Sequence, residues 1–145
     1  MEKKIVGGEI RNLGNMIHRF VGNLPNKKKI ERLTGTNAWI IGYIAQRKGQ
    51  DVFQKDFEKQ FGITRSTASK VVNLMVKKGF IERQSVPYDA RLKKLVLTEK
   101  SEEIYQLMIE DFILMENTLK KGFSEEELEQ FIEYIHRMQK NLEDN

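Results

Sequence analysis

The chain has no cysteine among its 145 residues. That excludes disulfides, thiolate metal sites and thiol redox sensing. Proline is scarce: Pro25 and Pro87 are the only two. Pro25 closes a helix at Asn23-Leu24-Pro25-Asn26, because the residue before a proline is pushed out of the α region. Pro87 cannot sit in a central strand. No apolar run approaches the roughly 18 residues of a membrane span. Met1-Glu2-Lys3-Lys4-Ile5 lacks the apolar core of a signal peptide, so a cytoplasmic protein without a membrane partner is expected. There is no Gly-rich phosphate loop, no HExxH and no nucleophile elbow. The two histidines, His18 and His136, fall far apart in different predicted helices, and without cysteines nearby they read as surface or interface residues rather than metal ligands. Nothing supports catalysis, a cofactor or a metal.

The length fits one domain, and 39% hydrophobic with 32% charged residues suits a globular protein with a modest core. The net charge of +4 hides an asymmetry: residues 1–63 carry +6, residues 64–100 carry +6 in far fewer positions, and residues 101–145 carry −8. Such a split fits an anion-binding face whose opposite end is kept off a polyanion.

The densest positive charge lies in the stretch Phe53 to Thr98, which reads as two short helices, a tight turn and a two-stranded hairpin with a basic tip. The turn is Phe61-Gly62-Ile63-Thr64. Gly62 supplies the positive φ that ends one helix, and Thr64 is a good N-cap for the next. The helix Arg65 to Lys78 has Ala68, Val71, Val72, Met75 and Val76 on one side at three-four spacing. Arg65, Ser66, Thr67, Ser69, Lys70 and Asn73 occupy the other, a set of short hydroxyls, an amide and two cations that reach base edges and phosphates without bulk. Gly79 stops this helix. Strands are expected from Phe80 to Arg83 and from Lys94 or Leu95 to Thr98. The loop between them holds Pro87, Tyr88, Asp89, Ala90, Arg91 and Lys93, and a polar loop of that length is uncommon without a function. Asp89 is placed to hold the Arg91 guanidinium for a DNA backbone or a narrow minor groove. Lys93, Lys94 and Arg83 are further contact candidates.

The order Gly62-Ile63-Thr64, Ser66-Thr67-Ala68-Ser69, Lys78-Gly79-Phe80-Ile81-Glu82-Arg83, Asp89-x-Arg91 and Leu95-x-Leu97-Thr98 resembles the MarR family of bacterial transcriptional regulators. The resemblance extends over nearly the whole chain, with Ser101 standing where family members often carry glycine. It implies a mainly α fold with a small β-hairpin wing, a winged helix-turn-helix core at about 34–98, and dimerisation helices at about 9–24 and 99–142. It also implies a homodimer on a palindromic operator in double-stranded DNA, often released by a small molecule. The missing cysteine argues against the peroxide-sensing branch. If an effector exists, a small aromatic one is expected in a pocket lined by Ile17, His18, Trp39 and Tyr43.

The flanks agree with this reading. Residues 9–24 place Ile10, Leu13, Ile17, Phe20, Val21 and Leu24 at helical spacing. Lys27-Lys28-Lys29 reads as a solvated loop or helix start rather than a phosphate contact. Thr34 is read as the cap of a helix running to about Lys48, and Asp51 as the cap of a short helix from about Phe53 to Phe61. Val52 or Phe53 is expected to pair briefly with the wing. Thr98 caps a long helix, Gly122 breaks it, and Ser124-Glu125-Glu126-Glu127 is a capping box for the last one. The terminal helices carry more apolar surface than one small domain covers, which points to a dimer built from both chain ends. Two alternatives stay open: a winged-helix protein-interaction module, and a non-specific architectural DNA binder.

Overall fold

The computed structural model describes residues 3 and 5–145. Among them the order is α1 (Val6–Gly22), α2 (Lys27–Thr34), α3 (Ala38–Ala45), α4 (Gln54–Phe61), α5 (Arg65–Lys77), β1 (Ile81–Val86), β2 (Asp89–Leu97), α6 (Glu99–Lys120) and α7 (Glu125–Glu143). Two compact units are present, one ending at Phe112 and one running Ile113–Asn145. No described helix is long and apolar enough to cross a membrane.

The core of the first unit gathers Ile40, Ile41, Phe57, Val72, Met75, Phe80, Ile81 and Ile104, all almost wholly excluded from solvent. One apolar side each of α3, α4, α5 and α6 meets the base of the hairpin there. Trp39 and Tyr43 on α3 pack against Phe57 and Phe61 on α4. The Tyr43 and Phe57 rings meet edge to face at 5.0 Å, and Trp39 and Phe61 lie tilted at 4.5 Å. Such contacts orient α4 as well as burying area.

The expected helices are present, with shifted ends in several places. α1 begins at Val6 and stops at Gly22. The three lysines open a separate helix, α2, the helix start that was one reading of that run. Thr34 is not an N-cap. It is the last residue of α2, fully buried, and its hydroxyl donates to the Ile30 carbonyl at 2.7 Å. A threonine can bond back to the preceding turn as readily as cap the next one. The chain breaks after it at Gly35, whose φ of 67° a β-carbon would resist. Asp51 is no cap either: the Asp56 carboxylate accepts from the Phe53 N–H at 2.7 Å and closes the start of α4. Val52 makes one sheet-like bond, its carbonyl accepting from the Leu95 N–H at 2.7 Å. Thr98 accepts from the Ser101 N–H as α6 begins, and Ser124 and Glu127 satisfy each other's backbone groups at the start of α7.

The wing differs most from expectation. In place of a long loop, β1 and β2 pair antiparallel from Ile81↔Leu97 out to Ser85↔Lys93, then shift register so that Val86 meets Asp89. The connection shrinks to Pro87 and Tyr88. The residues read as loop are strand because a two-stranded ribbon is held by its backbone bonds and shows solvent both faces, so no apolar alternation marks it.

Candidate nucleic-acid interface

α5 is set by its two ends and one buried side. At its start, the Thr64 hydroxyl oxygen accepts from the Thr67 N–H at 3.2 Å. Gly62, with φ 60°, turns the chain out of α4 in the left-handed conformation. Ala68, Val72 and Met75 are buried below. Beyond its far end, the Thr98 hydroxyl donates to the Gly79 carbonyl at 2.6 Å and the Lys100 ammonium to the Lys78 carbonyl at 2.7 Å. A cation there satisfies a terminal carbonyl and suits the negative end of the helix dipole.

With that side down, Arg65, Ser66, Thr67, Lys70 and Asn73 are all exposed on α5. Ser69 stands apart. It is half-buried, and its hydroxyl accepts from the Gln54 amide at 3.0 Å, tying α4 to α5. The wing approaches the same helix through Arg83, whose Nη2 donates to Asn73 Oδ1 at 2.6 Å.

On β2, Asp89 grips Arg91 as the spacing implied. Asp89 Oδ1 accepts from the Arg91 backbone N–H at 2.9 Å and from Nε at 3.2 Å, while Oδ2 accepts from Nη2 at 3.2 Å. The Arg91 side chain remains 89% exposed, so the guanidinium is aimed yet open to a partner. These bonds hold the Asp89 carboxyl below its usual range. A carboxylate with a depressed pKa keeps its partner at neutral pH and releases it only as pH falls through that lowered value, so the grip persists through mild acid. Lys93 donates to Ser85 across the ribbon at 2.7 Å.

Lys94 goes elsewhere. Adjacent strand residues point to opposite faces, and its ammonium lies 3.6 Å from Asp51 Oδ1. Asp51 Oδ2 also accepts from the Tyr88 hydroxyl at 2.8 Å, which raises the tyrosine's pKa. Asp51 therefore fastens the wing at two points to the segment between α3 and α4. Sequence reasoning missed this role and those of Gln54 and Lys100, because their partners lie outside any local spacing pattern.

The four residues expected to line an effector pocket are not gathered by any bond or ring contact among the described residues. Trp39 and Tyr43 belong to the aromatic cluster with Phe57 and Phe61. Ile17 is half-buried and His18 exposed on α1, which has no buried residue. A cleft of about 580 Å³ does open beside the wing, lined by Ile44, Lys48, Asp51, Lys94, Leu95 and Tyr105 among others, and none of the four lines it. No group of three or more His, Asp or Glu among the described residues is placed to hold a metal ion.

Comparison with known proteins gives a consistent result. A family model described as MarR family matches residues 33–92, which span α3, α4, α5 and most of the wing. An uncharacterized HTH-type transcriptional regulator, YybA of Bacillus subtilis (strain 168), is 25% identical over 134 residues, covering 92% of this chain and 88% of that protein. The structure of the transcription regulator MarR from Oenococcus oeni PSU-1 is 28% identical, with a TM-score of 0.62, over 94% of this chain and 99% of the other. A MarR-like transcriptional regulator from Thermotoga maritima is 26% identical, with a TM-score of 0.71, over 97% and 99%.

Proposed function

We propose that this chain, whose residues 33–92 match a MarR family model and whose fold is that of MarR-type transcription regulators, acts as a homodimeric repressor on a palindromic operator and is released by a small-molecule effector. The observation that carries the reading is α5: a helix buried on one side presents Arg65, Ser66, Thr67, Lys70 and Asn73 on the other, with the Arg91 guanidinium held open on the wing. In a two-fold dimer the two copies of α5 would enter successive major grooves about 34 Å apart. The α5 side chains would read base edges, and Arg91 with Lys93 would meet the backbone or minor groove. Asp89 serves this by orienting Arg91, and Asp51 by seating the wing.

Dimerisation is supported by the apolar surface left uncovered within the protomer. α1 and α7 bury none of their residues, although Leu13 and Phe20, and Phe131 and Met138, form apolar faces on them. An effector would act through its differential affinity for two spacings of the reading helices. The cleft containing Asp51 and Lys94 supports such a role, since a molecule seated there adjoins the pair that fastens the wing.

The test is a gel shift on duplex DNA from upstream of the protein's own gene, against scrambled competitor, at two salt concentrations. Sequence-preferring, salt-dependent binding is the expected result. Arg91→Ala should weaken it and flatten the dependence of log K on log salt by about one unit per lost phosphate contact. Binding without preference would mark an architectural protein, and no duplex binding a protein-interaction module.

A further inference from the structure

We propose that Asn73 and Arg83 act as one reading unit that presents chiefly hydrogen-bond donors to DNA and takes a guanine edge in the major groove. This rests on the reading of α5 as the helix that enters the duplex. Asn73 is exposed on α5 and Arg83 is exposed on β1, so the unit joins two elements ten residues apart in sequence. Among the described residues neither side chain has another hydrogen-bond or ion-pair partner; their bond to each other, 2.6 Å from Nη2 to Oδ1, is the one each makes.

That bond changes what an asparagine can read. A free amide recognises adenine with both its atoms, Oδ1 accepting from the N6 amino group and Nδ2 donating to N7. Here Oδ1 already accepts from a guanidinium, and an adenine amino group would have to approach the same oxygen beside a positive charge. One lone pair of Oδ1 remains, but it lies beside the guanidinium charge, which disfavours a second donor there; the other groups left to the groove, the Asn73 NH₂ and the remaining guanidinium N–H bonds, are all donors. Guanine offers two acceptors, O6 and N7, on its major-groove edge. A phosphate offers acceptors too, but it carries no base information, and that difference separates the two.

Neither residue is packed in the core, so Asn73→Ala and Arg83→Met should fold as the parent does, which matched thermal melts establish. The experiment is selection of bound duplexes from a randomised pool by the full-length protein, the two variants and their combination. The wild type should select guanine at one position in each half-site, by roughly ten- to hundredfold over other bases. Arg83→Met, which frees Oδ1, should shift that position towards adenine. Asn73→Ala should broaden it, and the two substitutions should be non-additive, as residues sharing one contact are. Three results overturn the proposal: adenine selected by the wild type at the position Asn73 controls; an equal loss on all sequences with a shallower salt slope; or independent, additive effects. A pool with no enriched sequence would instead sink the operator-binding reading beneath it.

Discussion

In the proposed homodimer, Phe131→Glu combined with Met138→Glu should make the protein monomeric and weaken binding to the proposed operator about a hundredfold or more. Both side chains lie on one side of α7, seven residues apart, and are 52% and 38% exposed in the protomer. Substituting them leaves the protomer's own core untouched, so loss of assembly cannot be mistaken for unfolding. Across the proposed two-fold interface each change would count twice. It removes an apolar anchor of roughly 2 kcal/mol and buries a carboxylate against the partner's apolar surface. Separating the protomers then abolishes the effective concentration that joins two half-sites, an advantage on the order of 10² to 10⁴ in affinity. Sedimentation equilibrium with a DNA titration measures both effects. A variant that stays dimeric with unchanged affinity would show that this face of α7 lies outside the interface.

Phe57→Ala lowers stability by about 3–5 kcal/mol, a large share of the roughly 5–15 kcal/mol typical of a domain. Phe57 has no solvent exposure and receives Trp39 at 6.1 Å and Tyr43 at 5.0 Å between ring centroids, both edge to face. Its removal leaves a cavity under α4 and strips two rings of their partner. Because α4 meets α5 through the Gly62 turn and the Gln54–Ser69 bond, α5 loses part of its seat. Trp39 is the sole tryptophan, so its emission reports the change directly during urea unfolding. A midpoint shift worth less than about 1 kcal/mol would place the aromatic cluster at the margin of the fold rather than beneath α5.

What could be read from the sequence was set by signals spanning a few residues. The Gly62 turn, the Thr64 cap, the two sides of α5, the Asp89–Arg91 grip and the Ser124–Glu127 box each bring cause and partner within one or two turns of chain, and each stands in the structure. The extent of α2 was illegible because it buries only Ile30 and Thr34, too few for a periodic signal among its lysines. Thr34 itself offered two local hydrogen bonds of similar worth, and burial decided between them. The length of the wing was hidden because Gln84, Ser85, Arg91 and Lys93 pair through backbone atoms that every residue type shares. Asp51 could not be placed because its partners, Tyr88 and Lys94, arrive only when the wing folds back on the segment before α4.

The proposed activity requires two copies of α5 to enter one duplex together. Hydroxyl-radical footprinting with dimethyl sulfate protection on a bound operator measures this most directly. Two protected major-groove segments centred about one helical turn apart, related by the operator's dyad, are the predicted result. A single protected segment, or protection confined to the backbone with every guanine N7 still reactive, would contradict it.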